Sequence, residues 1–138
     1  MIHLPAEVEV IDGGTGGFEL IGYFEGKKKI IIIDAVTGGD EPGTILRLPC
    51  AALDLNLRPS FSAHQGGIEG LLHFSRRMDS HPEIVVIGIV PEETHLLRMS
   101  LSKSVEEKIP KVIAIVLEEM RSSVDSQNGK TLPALCRN

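Results

Sequence analysis

Four consecutive isoleucines, Ile30 to Ile33, constrain this chain more than any other feature of its sequence. A run that is apolar and β-branched at every position is typical of a strand with both faces buried, as in a parallel sheet covered by helices. The run ends in Asp34, so we predict a strand over Lys29 to Ile33 with a carboxylate at its carboxyl end. In open α/β sheets, ligands bind at that edge.

The remaining pattern predicts an α/β fold, an open and mostly parallel sheet covered by helices on both faces. Glu83 to Val90 is a second apolar run and is predicted to form another buried strand, whereas Thr44 to Leu48 alternates like an edge strand. Val8 to Ile11 is expected to form a short strand near the N-terminus. A turn is expected at residues 41–44, and helices are expected over residues 18–25, 67–78 and 103–121.

Two of these helices carry more detailed expectations. Helical spacing places four apolar side chains of the second helix on one side, namely Ile68, Leu71, Leu72 and Phe74. In the third helix, Pro110 lies inside the pattern and should kink it in the first or second turn. Its N-cap is expected at Ser102 or in a capping box formed by Ser104 and Glu107.

Length and composition indicate one domain, which we place at residues 1–123, followed by a polar tail over residues 124–138. The net charge of −5 gives no electrostatic footprint for nucleic acid. No apolar stretch approaches the roughly 20 residues of a transmembrane helix, and two isolated cysteines indicate a reducing compartment. We therefore expect a cytoplasmic, monomeric protein that binds neither nucleic acid nor membrane.

Asp34 and His64 are the best candidates for a functional site. His64 lies in the segment Ser62-Ala63-His64-Gln65, just before the helix expected at residue 67. An oxygen ligand and an imidazole on loops above one sheet edge could together hold a divalent metal. Each residue alone also has a structural explanation, since an aspartate after a strand commonly bonds the amides of its own loop.

A glycine loop over residues 13–17 offers a second type of site. It follows the strand expected at Val8 to Ile11, and Asp34 lies 20 residues after Gly14, as in a dinucleotide-binding fingerprint. The fingerprint fails in detail because Glu19 stands where the third glycine is required. A small nucleotide-binding domain is therefore the weaker alternative.

Taken together, these local sequences resemble the hydrogenase maturation endopeptidases. The resemblance runs from about Val8 to Met120 in collinear order. It rests on six segments, which are Asp12-Gly13-Gly14-Thr15-x-Gly17-x-Glu19-Leu20, Asp34-Ala35, Pro42-Gly43-Thr44, Ser62-Ala63-His64-Gln65, Gly88-Ile89-Val90-Pro91-Glu92 and Leu101-Ser102-x-Ser104-Val105-Glu106.

The resemblance implies a phosphorylase/hydrolase-like α/β fold and a cytoplasmic peptidase of the aspartyl type. Such an enzyme would trim the C-terminal extension of a nickel–iron hydrogenase large-subunit precursor after nickel insertion. Asp34 and His64 match two of the family's metal ligands, so they would be the catalytic residues and would bind the nickel of the precursor or another divalent metal. The substrate would be contacted by Gly13, Gly14, Thr15, Gly16, Gly17 and Gln65.

The resemblance also implies a missing element. The family's first strand, helix and third ligand lie in a segment upstream of the strand expected at Val8 to Ile11, so we expect weak nickel binding from two ligands. A slot beside Lys29 to Ile33 would leave backbone groups unpaired, at about 1–3 kcal/mol each. We therefore predict one of three outcomes. The strands at Val8 to Ile11 and Lys29 to Ile33 pair directly, residues 1–6 or another chain fill the slot between them, or the chain aggregates.

Two functions other than nucleotide binding stay open on these grounds. One is the nickel-dependent maturation endopeptidase. The other is a non-catalytic module that senses nickel or binds a hydrogenase through the same two ligands. Cleavage of a precursor would distinguish them.

Overall fold

The two apolar runs form the parallel centre of a single open sheet. The structure is a computed structural model that describes residues 2–37, 40–50, 60–61, 67–79, 81–92 and 100–127. Within these residues the sheet has four strands in the order β2–β4–β1–β3. Their bounds are β1 (Lys29–Thr37), β2 (Ile45–Pro49), β3 (Ser60–Phe61) and β4 (Glu83–Ile89).

Strands β1 and β4 run parallel, in the register Lys29↔Glu83 to Ala35↔Ile89. The outer strands are antiparallel to their neighbours, β2 to β4 and β3 to β1. The predicted open α/β sheet is therefore confirmed, and its described part is mixed rather than mostly parallel. The connection from β1 to β4 contains α1, which gives it the length that parallel pairing requires.

The helical elements are a 3₁₀ helix (Phe18–Tyr23), α1 (Gly67–Ser75), α2 (Lys103–Glu106) and α3 (Ile109–Gln127). The helix expected at residues 18–25 is thus a shorter 3₁₀ helix, and Gly26 follows it with a φ of 72°. The single kinked helix expected at residues 103–121 is in fact two helices. Pro110 falls in the first turn of α3, where its missing N–H leaves no hydrogen bond unmade. Ser102 is the N-cap of α2 without a capping hydrogen bond from its side chain.

Helices cover both faces of the sheet, as predicted. Successive side chains of a strand point to opposite faces. On one face, apolar side chains of β1 and β4 form a cluster with α1 and the residue after the 3₁₀ helix, which includes Val36, Ile84, Val86, Leu71, Leu72 and Phe24. On the other face Val85 and Ile87 are buried, and Lys29 contacts Glu119 of α3.

Phe74 is not in this core, contrary to expectation. Its side chain is 44% exposed and packs edge-to-face on Phe18, with ring centroids 5.1 Å apart. Ser75 is buried instead, because it lies at i+4 from Leu71 and so faces the sheet. Its hydroxyl donates to the Leu72 carbonyl at 2.8 Å, which satisfies the buried polar atom.

The prediction of a strand at Val8 to Ile11 is also wrong. Residues 8–11 pair with no described strand, and the Val10 side chain is 76% exposed. The segment contacts the residues just before β1 through an ion pair between Glu9 and Lys27 at 2.5 Å. A strand-like sequence forms a strand only when it pairs with another strand, and residues 8–11 pair with none of the described strands, although Lys29 to Ile33 has an edge there that no described strand occupies.

The second edge of β1 remains open over most of its length in the described part of the chain. Strand β3 covers only Val36 and Thr37 on that side, so Lys29 to Ile33 pairs there with no described strand. Ile33 is 53% exposed, although its register partner Ile87 is fully buried. Among the described residues, Lys29 to Ile33 pairs with neither residues 8–11 nor residues 2–6, so two of the predicted alternatives are not observed. Pairing with another chain and aggregation stay predictions.

We expect the isolated chain to self-associate through this edge, because an apolar strand with an open ladder pairs readily with another chain. Such association would replace the monomer predicted from the sequence. Ile33→Lys should reduce it by placing a charge on the edge strand, whereas Leu101→Lys, at a 57% exposed position outside the sheet, should not. Sedimentation velocity over a wide range of protein concentrations measures this. A chain that stays monomeric at every concentration would contradict it.

A buried carboxylate fastens α3 to the sheet at the end where β1 and β4 begin. Glu119 is 4% exposed and binds both Lys29, at 3.0 Å, and Arg47 of β2. The Lys29 ammonium also lies 3.1 Å from a carboxylate oxygen of Glu83, the first residue of β4. Burial acts to raise the pKa of the Glu119 carboxyl, but the hydrogen bonds from Arg47 and Lys29 oppose it and hold the pKa below the ordinary value.

Glu119→Gln should therefore lower the free energy of unfolding by about 1–3 kcal/mol, toward the lower figure because Arg47 is half exposed. The stability from Glu119 is complete above the ordinary glutamate pKa of about 4.3. It is lost as the pH falls through the lower pKa of the folded state. Urea unfolding at several pH values measures both effects. The exposed neighbour provides the control variant Glu118→Gln, and equal losses in the two variants at neutral pH would contradict this account.

Candidate active site

Asp34 lies at the carboxyl end of the parallel β1–β4 pair. The strand does not end at Asp34, as the sequence predicted, because β3 pairs with Val36 and Thr37 and extends β1 to Thr37. Asp34 is nevertheless in the next-to-last register pair of the two parallel strands, opposite Gly88. Its side chain is half-buried. A candidate ligand therefore occupies the edge of the sheet at which α/β proteins bind ligands.

The end of β4 is tied to the predicted turn at residues 41–44. Thr44 N–H donates to the Glu41 carbonyl at 3.1 Å, and Gly43 has a φ of 84°, as expected for a turn with proline before glycine. Gly43 N–H donates to the Val90 carbonyl at 2.7 Å, and Val90 N–H donates to the Thr44 carbonyl at 2.9 Å. These bonds continue the β2–β4 ladder past Ile89 and fix the backbone where β4 leaves the sheet.

His64 and Gln65 lie outside the described residues. Both flanks of their segment are described: Phe61, the last residue of β3, is the register partner of Val36, and α1 begins at Gly67. The structure thus places one predicted ligand, Asp34, and does not test the other. In the part of the chain that is described, no three His, Cys, Asp or Glu side chains are grouped as a metal site.

The glycine loop, residues 13–17, is a tight turn, and its backbone geometry explains why glycine stands at two of its positions. Gly14 has a φ of 55°, and its N–H donates to Asp12 Oδ1 at 2.9 Å. Gly16 N–H donates to the Gly13 carbonyl at 2.9 Å, and a Cβ at Gly16 would lie 2.7 Å from that oxygen. Thr15 is exposed between them, and Gly17 is buried where the 3₁₀ helix begins. Contact of this loop with a substrate stays a prediction.

Gly88 is a position to which the sequence reasoning assigned no role. It belongs to one of the segments that carry the family resemblance, and it interrupts the side chains of a buried apolar strand. Such a glycine commonly marks a close approach of another group. In the structure it faces Asp34 across the parallel pair.

Comparison with known proteins decides the family. Residues 1–119 match the family model of the hydrogenase maturation proteases. The chain belongs to this family. The family resemblance stated from the sequence is therefore confirmed, and so is the assignment to the peptidases.

Individual proteins with similar sequences are also hydrogenase maturation proteases. The chain is 32% identical over 124 residues to the hydrogenase 2 maturation protease of Escherichia coli, covering 87% of this chain and 74% of the relative. It is 34% identical over 127 residues to a putative hydrogenase maturation protease of Methanocaldococcus jannaschii, covering 87% and 79%.

A solved structure shows that the fold is shared. The hydrogenase maturating endopeptidase HybD from E. coli superposes with a TM-score of 0.72 at 31% identity, covering 88% of this chain and 75% of that one. The predicted fold class is thereby confirmed. The aspartyl mechanism and metal binding are not tested by these comparisons and stay predictions. No helix in the described residues is long and apolar enough to cross a membrane.

We expect Gly16→Ala to lower the thermal stability of the protein, because the added methyl group would press on the Gly13 carbonyl and such overpacking costs about 1–3 kcal/mol. Gly22→Ala is the matched control, since nothing lies within 4 Å of its Cβ position. Thr15→Ala should leave stability unchanged and so isolates any contact of the loop with substrate. Calorimetric melting of the three variants measures this, and equal melting temperatures for Gly16→Ala and Gly22→Ala would contradict it.

Proposed function

We propose that this chain is a nickel-dependent endopeptidase that removes the C-terminal extension of a nickel–iron hydrogenase large-subunit precursor. The observation that carries the proposal is the half-buried Asp34 at the carboxyl end of the β1–β4 pair, in a chain of the hydrogenase maturation protease family. Family membership favours this reading over the nucleotide-binding domain, whose fingerprint already fails at Glu19.

The connections around the site support a role for His64 beside Asp34. His64 is three residues from Phe61 and three from Gly67, and three peptide units span at most about 11 Å. Phe61 is in register with Val36, two residues beyond Asp34 on β1. His64 is thus within about 11 Å of a residue that pairs with the strand carrying Asp34, a length compatible with one metal ion bound by both side chains.

The chemistry of this pair suits a metal that belongs to the substrate. Carboxylate oxygen and imidazole nitrogen are good ligands for nickel, and two protein ligands leave coordination positions for the precursor's own groups or for water. Binding to nickel already inside the precursor would make cleavage conditional on metal loading. Asp34 and His64 would then orient the scissile peptide at the sheet edge, and the carboxylate oxygen of Asp34 that does not bind the metal is suited to take a proton from the attacking water.

The dependence on nickel is tested with Asp34→Asn and His64→Ala, with Asp40→Asn as the control at an exposed aspartate. Each of the first two variants should weaken nickel binding at least about tenfold, since even indirect support of a ligand contributes that much. The control should bind as the unaltered chain does. Isothermal titration calorimetry with nickel alone gives the affinities. Unchanged affinity in both site variants would eliminate the site.

The peptidase activity is tested separately with a nickel-loaded precursor and the same precursor without nickel. We expect the unaltered chain to shorten only the loaded precursor, and Asp34→Asn to shorten neither. Mass spectrometry of the products identifies the bond that is cut. Binding of the loaded precursor without any cleavage would instead identify a non-catalytic nickel-sensing module.

A further inference from the structure

Gly88 breaks the side-chain pattern of β4 directly opposite the candidate ligand. The four residues before it, Ile84 to Ile87, all carry branched apolar side chains that are buried. Gly88 is buried too, and its register partner on β1 is Asp34. Glycine inside a strand contributes no packing and has a larger entropy cost of ordering, so its presence here calls for a steric reason.

The reason is Val36. A Cβ at Gly88 would lie 2.6 Å from Val36 Cγ1, 2.8 Å from Cγ2 and 3.3 Å from Cβ. The first two separations are far inside van der Waals contact. Val36 is fully buried and packs in the cluster with Leu71 and Leu72 of α1, and a close-packed interior leaves its methyl groups little room to move aside.

Val36 connects this close approach to both predicted ligands. It lies two residues after Asp34 on β1, so the two side chains emerge on the same face of the sheet. It is also the register partner of Phe61, where β3 leads toward His64. The position of the Val36 side chain over Gly88 therefore sets the path of β1 at Asp34 and at the pair that Val36 forms with β3.

We propose that Gly88 is a positioning residue of the active site, which acts by leaving space for Val36 and thereby fixes the path of β1 at Asp34. This assignment rests on the proposed function, because the position of Asp34 that it controls matters only if Asp34 binds the metal. Gly88 itself does not touch the substrate. A residue needed only for core packing would change the stability alone. A positioning role predicts that a substitution at Gly88 also changes the metal affinity of the fully folded protein.

The test uses Gly88→Ala, Val36→Ala and the double variant, with nickel alone as the probe. Gly88→Ala should weaken nickel binding about tenfold, the usual loss when support for a ligand is removed. Val36→Ala should also weaken it, because the contact over Gly88 is lost. The double variant retains only the 3.3 Å approach to Val36 Cβ and should recover most of the affinity. Gly70→Ala, a glycine of α1 with nothing within 4 Å of its Cβ position, is the control.

Affinities are compared at a temperature at which circular dichroism shows each variant to be folded. If Gly88→Ala does not fold, the double variant should still bind nickel more tightly than Val36→Ala does. Lower stability with unchanged nickel affinity in the single variants, or no recovery in the double variant, would overturn the assignment alone. If the unaltered chain binds no nickel, or binds it without Asp34, the proposed function fails and the assignment fails with it.

Discussion

The parallel pairing of β1 with β4 is the constraint on which the rest of this structure depends. It aligns two apolar strands over the register Lys29↔Glu83 to Ala35↔Ile89 and supplies the centre of the core on both faces. The same pairing gives the domain a direction. Its amino end is fastened to α3 by Glu119 and Lys29, and its carboxyl end presents Asp34. The charge pairing that stabilises the fold and the candidate catalytic carboxylate thus lie at opposite ends of one pair of strands.

Because of this separation, substitutions at the two ends of the β1–β4 pair are expected to affect different properties of the protein. Variants at Glu119 act on the attachment of a helix, at the end of the sheet opposite Asp34. Around Asp34 the side chains are closely packed. The Val36 side chain fills the space that a side chain at Gly88 would need, and Val36 also pairs with Phe61 of β3. If Gly88 positions Asp34 as proposed, small changes of volume at the carboxyl end should shift Asp34, whereas larger changes at the amino end should not reach it.

Much of the fold could be predicted from the sequence because the strongest patterns were long and local. The isoleucine run, the apolar strand at residues 83–89 and the helix at residues 67–75 need no partner to be recognised. The errors concern features that a distant partner decides. Val8 to Ile11 has a strand-like sequence but pairs with no described strand, and β1 continues past Asp34 because β3 pairs with it. At the site, Asp34 was predictable from its place after apolar residues, but the role of Gly88 depends on a contact with Val36 that no local pattern contains.

The central claim is that Asp34 and His64 bind the same nickel ion, and X-ray absorption spectroscopy of the nickel-loaded protein tests it most directly. The account predicts a first shell of oxygen and nitrogen atoms with the scattering pattern of one imidazole. That imidazole signal should be absent from the spectrum of His64→Ala, while Asp34→Asn should alter the oxygen ligands. A spectrum without imidazole, or one with sulfur from Cys50 in the first shell, would contradict the account.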